Sequence, residues 1–150
     1  MARLAMLFFS AIGLTGCAGA HAPAAVGNFV QGPQTATDTV MADDVARKLV
    51  ALYPPAHTRF AIQQATPDVF GATLIASLRG RGYALTEFSR GGHAGRPAST
   101  GEVSLAYVID QPMESGIYRV TVLISDQSLS RLYQAKDGSI VPAGYWVRKE

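Results

Sequence analysis

The chain has 150 residues, 48% of them apolar and 16% charged, with 13 Lys and Arg against 11 Asp and Glu and one cysteine. A formal net charge of +2 argues against electrostatic nucleic-acid binding as its main role, and the lone cysteine excludes an intramolecular disulfide. A body of about 100 residues behind a leader and linker is enough for one hydrophobic core and not for two.

The first element is a leader. Met1 and Arg3 give a positive start, Leu4 to Leu14 form an apolar run with Ser10 as its one polar residue, and Thr15-Gly16 bring small side chains up to Cys17. Charge, apolar stretch and small-residue cleavage site are the three parts of a secretory signal. A spanning helix needs roughly 20 apolar residues, so residues 1–16 are expected to be removed rather than to anchor the chain. Leu14-Thr15-Gly16-Cys17 resembles the bacterial lipobox. That resemblance implies cleavage before Cys17, a thioether-linked diacylglycerol on its sulfur and a third acyl chain on the freed amine. One acyl chain binds membranes marginally, at about 0.8 kcal/mol per buried methylene, whereas two or three hold firmly. Ala18 replaces the Asp that, in enteric-type bacteria, retains lipoproteins at the inner membrane, so outer-membrane placement with the domain in the periplasm is expected.

Residues 17–37 comprise Cys17 and a stretch rich in Ala, Gly, Pro and Thr without apolar periodicity, expected to be a flexible tether. Twenty such residues reach about 25 Å as a coil. The domain is expected over residues 38–138. Asp38-Thr39 offer an N-cap for a helix carrying Val45, Leu49 and Leu52 on one face, which Pro54-Pro55 end. Thr58–Gln63 suit a short strand with Phe60 and Ile62 on one side. Thr66-Pro67-Asp68 suggest a second helix, Thr66 capping and Pro67 at its first position, with Phe70, Leu74 and Leu78 inward until Gly80 and Gly82 stop it. Tyr83–Phe88 follow as a strand, and Ser89–Gly101, with four glycines and a proline, as a loop.

Beyond residue 101 the pattern becomes alternating. Val103, Leu105, Tyr107 and Ile109, then Tyr118, Val120, Val122 and Ile124, then Leu129 to Tyr133 give three strands before Asp137-Gly138. The fold class is therefore α+β: two helices packed on one face of a mostly antiparallel sheet, in the order αβαβ followed by βββ. Residues 139–150 form an apolar tail beyond that sheet that either packs on its own domain or inserts into a neighbouring subunit, and Tyr145, Trp146 and Val147 in it are the candidate partner contacts.

Catalytic chemistry finds little support. No G-x-S-x-G elbow is present, and His21, His57 and His93 are isolated, without H-x-x-x-H or C-x-x-C spacing for a metal. Arg79-Gly-Arg-Gly-Tyr83 and the glycine-rich run from Ser89 to Arg96 lack the strand, loop and helix order that a nucleotide cradle requires. Arg79, Arg81, Arg90 and Arg96 read as a solvated rim, with an anionic surface as the alternative partner. No catalytic residue, metal or cofactor is assigned, and the protein is expected not to be an enzyme.

The lipobox, the tether, DVARKLVALYPPAHTRFAI, FGATLIASLRGRGYAL, GEVSLAYVID and SLSRLYQAKDGSIVPAGYW together resemble the conjugal transfer protein TrbH family over essentially the whole chain. The resemblance implies an outer-membrane lipoprotein of a conjugative type IV secretion apparatus, the machinery of mating pair formation. Its partners would be the membrane, through the lipid on Cys17, and other secretion-core proteins in a multi-subunit ring, with no direct contact to nucleic acid. Only Cys17 carries over as a functional position. The alternative is an envelope-assembly lipoprotein, pilotin-like or activating a peptidoglycan synthase, which the neighbouring genes would separate from the first reading.

Overall fold

The computed structural model describes residues 25–32, 34–89, 98–113 and 116–150. The leader, Cys17, the tether up to residue 24, and Arg90, His93 and Arg96 lie outside them. Strand β1 (Gly27–Asn28) leads into helix α1 (Thr35–Leu52), β2 (Arg59–Ile62), α2 (Val69–Gly80), β3 (Ala84–Thr86) and then five strands: β4 (Val103–Met113), β5 (Ile117–Ile124), β6 (Gln127–Lys136), β7 (Ser139–Pro142) and β8 (Val147–Lys149). The sheet order is β3-β2-β4-β5-β6-β7, with β1 on β4 and β8 on β6. β1 and β2 run parallel to β4, and β2 parallel to β3, while every pair from β4 to β8 is antiparallel. The expected α+β class is what the chain forms.

Both helices cover one face. Leu105, Tyr107 and Ile109 of β4 share a side with Val120, Val122 and Ile124 of β5 and with Leu129 and Tyr133 of β6, and all are buried. From that side Tyr107 reaches the start of α2 and Tyr133 reaches α1. Helix α1 supplies Met41, Val45 and Leu49, and α2 supplies Phe70, Leu74 and Leu78, to a single core cluster. Each such fully buried side chain contributes about 1.5–3 kcal/mol. The opposite face carries Ser104, Ala106, Val108, Thr121, Leu123 and Leu132 and has no helix over it among the described residues.

Several boundaries differ from the sequence expectation. Helix α1 begins at Thr35, not after a cap at Asp38, and Gln34 flanks it without a side-chain capping bond. The carboxylate of Asp38 is turned inward to Asn28 instead, 3.2 Å from its amide nitrogen. The end of the expected tether thus contains β1 and the first residues of α1. At α2 the cap is Asp68, whose Oδ1 accepts from the Gly71 amide at 3.0 Å, so the helix starts two residues later than the Thr66 cap predicts. Asp137-Gly138, expected to close the last strand, instead turns the chain into a further one, both residues having positive φ, 51° and 75°, as a two-residue hairpin requires.

The largest correction concerns residues 139–150. They do not lie beyond the sheet: β7 and β8 pair with the outer edge of β6. Tyr133 faces Pro142 and Ser130 faces Val147, so Arg131 and Leu132 oppose the four residues Ala143 to Trp146. β7 and β8 are two halves of one strand broken by a wide bulge. Pro142, which has no amide hydrogen to donate, is tolerated because it sits on an edge.

Candidate interaction surface

The bulge decides what the three C-terminal candidate residues do. Extra residues in a strand re-aim side chains that strict alternation would place on fixed faces. Tyr145 is left 93% exposed and Val147 65% exposed, while Trp146 turns back and packs against the core. The sequence grouping of Tyr145, Trp146 and Val147 therefore divides: Tyr145 and Val147 face outward and Trp146 is held by its own domain.

Arg131 builds the seat for Trp146. It occupies an inward position of β6, between Leu129 and Tyr133, where a charge needs a partner. Asp44 of α1 supplies it: Oδ2 accepts from the Arg131 guanidinium at 2.8 Å and from the Tyr133 hydroxyl at 2.8 Å, and Oδ1 accepts from Arg47 at 3.0 Å. The Arg131 Nε donates to the Gly144 carbonyl at 3.0 Å, so the same side chain pins the bulge. Its guanidinium carbon lies 5.8 Å from the Trp146 ring centroid and 6.0 Å from that of Tyr133, within cation–π range of both. Burial, and then the Asp44 carboxylate, push the Tyr133 hydroxyl well above the usual phenol range. It stays a neutral donor.

Beside the bulge, on the face away from the helices, lies a hollow of about 250 Å³ lined by Arg119, Ser130, Leu132, Ala143, Tyr145 and Val147. Its charges are internally matched. Arg119 donates through Nε to Asp110 at 3.0 Å and through a second nitrogen to the other carboxylate oxygen, a bidentate pair that raises the affinity of the guanidinium for its proton. Thr121 and Ser130 share a hydrogen bond of 3.0 Å across β5 and β6. The result is a neutral, partly apolar surface with an exposed aromatic at its rim, suited to a protein partner rather than to a charged small molecule.

Among the described residues the other sequence candidates are not brought into one site. Arg79 pairs with Glu87, and Arg81 donates to the Ser77 carbonyl at 3.0 Å at the end of α2, so both serve the local structure. His57 is exposed in a turn, Pro55–His57, beside a polar cleft that Arg59 and Glu102 also line. Glu102 has its carboxyl held below the usual range, first by the Thr86 hydroxyl. Among the described residues no cluster of three or more His, Cys, Asp or Glu is placed to hold a metal ion, and no helix is long and apolar enough to cross a membrane.

Sequence reasoning missed Asp44 and Arg131. A signal was present in each case: Arg131 breaks the alternation between Leu129 and Tyr133, and Asp44 falls on the helix stripe of Met41, Val45 and Leu49. Two opposite charges on two buried faces imply that they meet.

Compared with known proteins, residues 23–150 match the family model described as conjugal transfer protein TrbH. No curated protein and no solved structure matches.

Proposed function

The chain belongs to the conjugal transfer protein TrbH family, and from that membership we propose that it is a non-catalytic structural component of a conjugative type IV secretion apparatus, lipid-anchored at the outer membrane through Cys17. The family match over residues 23–150 carries the assignment to conjugal transfer. It begins after Cys17, so the anchor rests on the leader and the lipobox-like Leu14-Thr15-Gly16-Cys17. Two or three acyl chains would fix one end of the molecule, and the linker would set the distance of the domain from the bilayer.

The domain then acts by binding. Tyr145 and Val147, displayed by the bulge beside a neutral hollow, form the surface offered to other proteins of the secretion core. An amphipathic aromatic is the side-chain type that dominates such contacts. The decisive experiment is metabolic labelling with an alkyne fatty acid in cells that carry the transfer genes, followed by membrane fractionation. The native chain should take up label and sediment with the outer membrane, and Cys17→Ser should do neither. A labelled native chain in the inner membrane, or a Cys17→Ser chain processed and placed like the native one, would refute the anchoring.

A further inference from the structure

We infer that the contact between Asn28 and Asp38 is a proton-set latch that fastens the entry segment, residues 27–30, to the edge of β4. The segment is held by few bonds. β1 aligns two residues with Val108 and Ile109, the Phe29 amide donates to the Ile109 carbonyl at 2.8 Å, and the Val30 amide donates to the Asn28 side chain at 3.1 Å. Nor does it continue β2, its neighbour along the same edge. Between them the amide of Tyr107 is satisfied by the side-chain oxygen of Gln64, at 2.9 Å, in place of a strand. The segment therefore has its own seat, and the side-chain bond that ties it to the helix layer is the one from Asn28 to Asp38 Oδ2.

That seat contains a carboxylate in poor surroundings. Asp38 is 5% exposed, and its Oδ1 makes no hydrogen bond among the described residues. From the start of α2 it is faced by Asp68, which is itself held by the Tyr107 hydroxyl at 2.6 Å and the Gly71 amide; from β4 it is faced by Tyr107, and from β1 by Asn28. None of these groups is cationic. Burial first, and then the Asp68 charge, raise the Asp38 carboxyl from 3.8 to about 6, while the Asn28 bond pulls the other way. The two effects oppose each other: the Asn28 amide favours the ionised carboxylate, whereas burial and Asp68 penalise it, and the penalty wins. Lifting the segment admits water to Asp38 and relieves the penalty. Because the closed state has the raised value, its advantage is complete below about pH 4 and is lost as pH rises through about 6.

The test is amide hydrogen exchange of Phe29 in the full chain, read by NMR, with each rate divided by the unprotected rate at the same pH. Protection should fall by up to about tenfold between pH 5 and pH 7.5, the factor given by a carboxyl raised from 3.8 to about 6. The amides of Val120–Val122, in the middle of the sheet, should exchange more slowly than Phe29 at both values. Asp38→Asn should abolish the pH dependence of Phe29. Asp68→Asn, which keeps a good capping side chain, should move the midpoint down. Protection at Phe29 that is flat, that rises with pH, that coincides with that of Val120–Val122, or that keeps its pH dependence in Asp38→Asn would overturn the latch.

Discussion

The Tyr133 hydroxyl and the Asp44 carboxylate meet at 2.8 Å beneath helix α1, and the same carboxylate oxygen takes the Arg131 guanidinium. Three donors converge on one largely buried acid, joining the first helix to the last full-length strand. Removing the acid leaves Arg131 unpaired at an inward position. Asp44→Ala is therefore expected to cost about 3 kcal/mol, and Tyr133→Phe, which leaves Asp44 its two arginines, about 1–2 kcal/mol. Urea unfolding of both variants checks the order, and equal losses would contradict it.

A second expectation concerns the packing of α2 on the sheet. A Cβ on Gly71 would stand 2.7 Å from the Thr66 Cβ and would collide with the Tyr107 hydroxyl. Gly71→Ala should destabilise by about 1–3 kcal/mol through overpacking. Gly80, at the other end of the same helix, has open space around the same position, so Gly80→Ala should be neutral or stabilise by up to about 1 kcal/mol. Thermal melts of the two variants should shift in opposite directions or, at the least, only the first should shift.

Stability should also depend on the proton at Asp38. Its carboxyl is raised in the folded chain, so it favours folding at low pH and opposes it once ionised. At pH 7.5 Asp38→Asn should be more stable than the native chain, by on the order of 1–3 kcal/mol for a rise from 3.8 to about 6, and at pH 4 the advantage should vanish. Chemical denaturation at the two pH values decides the matter. An advantage that is the same at both would remove Asp38 as its source.

The two aromatics of the bulge should separate stability from binding. Tyr145 is nearly free of the domain, so Tyr145→Ala should change stability by less than about 0.5 kcal/mol while lowering recovery of secretion-core proteins on co-purification from cells carrying the transfer genes. Trp146 packs on Arg131, so Trp146→Ala should cost about 1–2 kcal/mol. Undiminished recovery with Tyr145→Ala would exclude this surface from the assembly.

What the sequence disclosed follows from how one-sided each element is. β4, β5 and β6 each have one face on the core and one without a helix, and that asymmetry writes the alternation from Val103 to Tyr133 directly into the residues. β1 carries no such signal, since Gly27 and Asn28 are poor strand formers and are extended only because the edge of β4 holds them. The C-terminal strand is illegible for a related reason: proline and glycine ordinarily interrupt strands, yet Pro142 lies on an edge and Gly144, at φ 132°, lies inside the bulge. The aromatic content of Tyr145-Trp146 marked the surface, but which ring faces out depends on two extra residues opposite Arg131 and Leu132, a count visible only in the register.

The broken last strand has a further effect on the company this domain can keep. An uninterrupted outer border would present a long row of free amides and carbonyls, on which another chain could zip up and fuse two sheets into one. Here the border comes in two lengths of four and three residues, one ending in a proline. A second chain that meets this border finds no long run of free backbone groups to zip onto, so a contact made there is left to side chains.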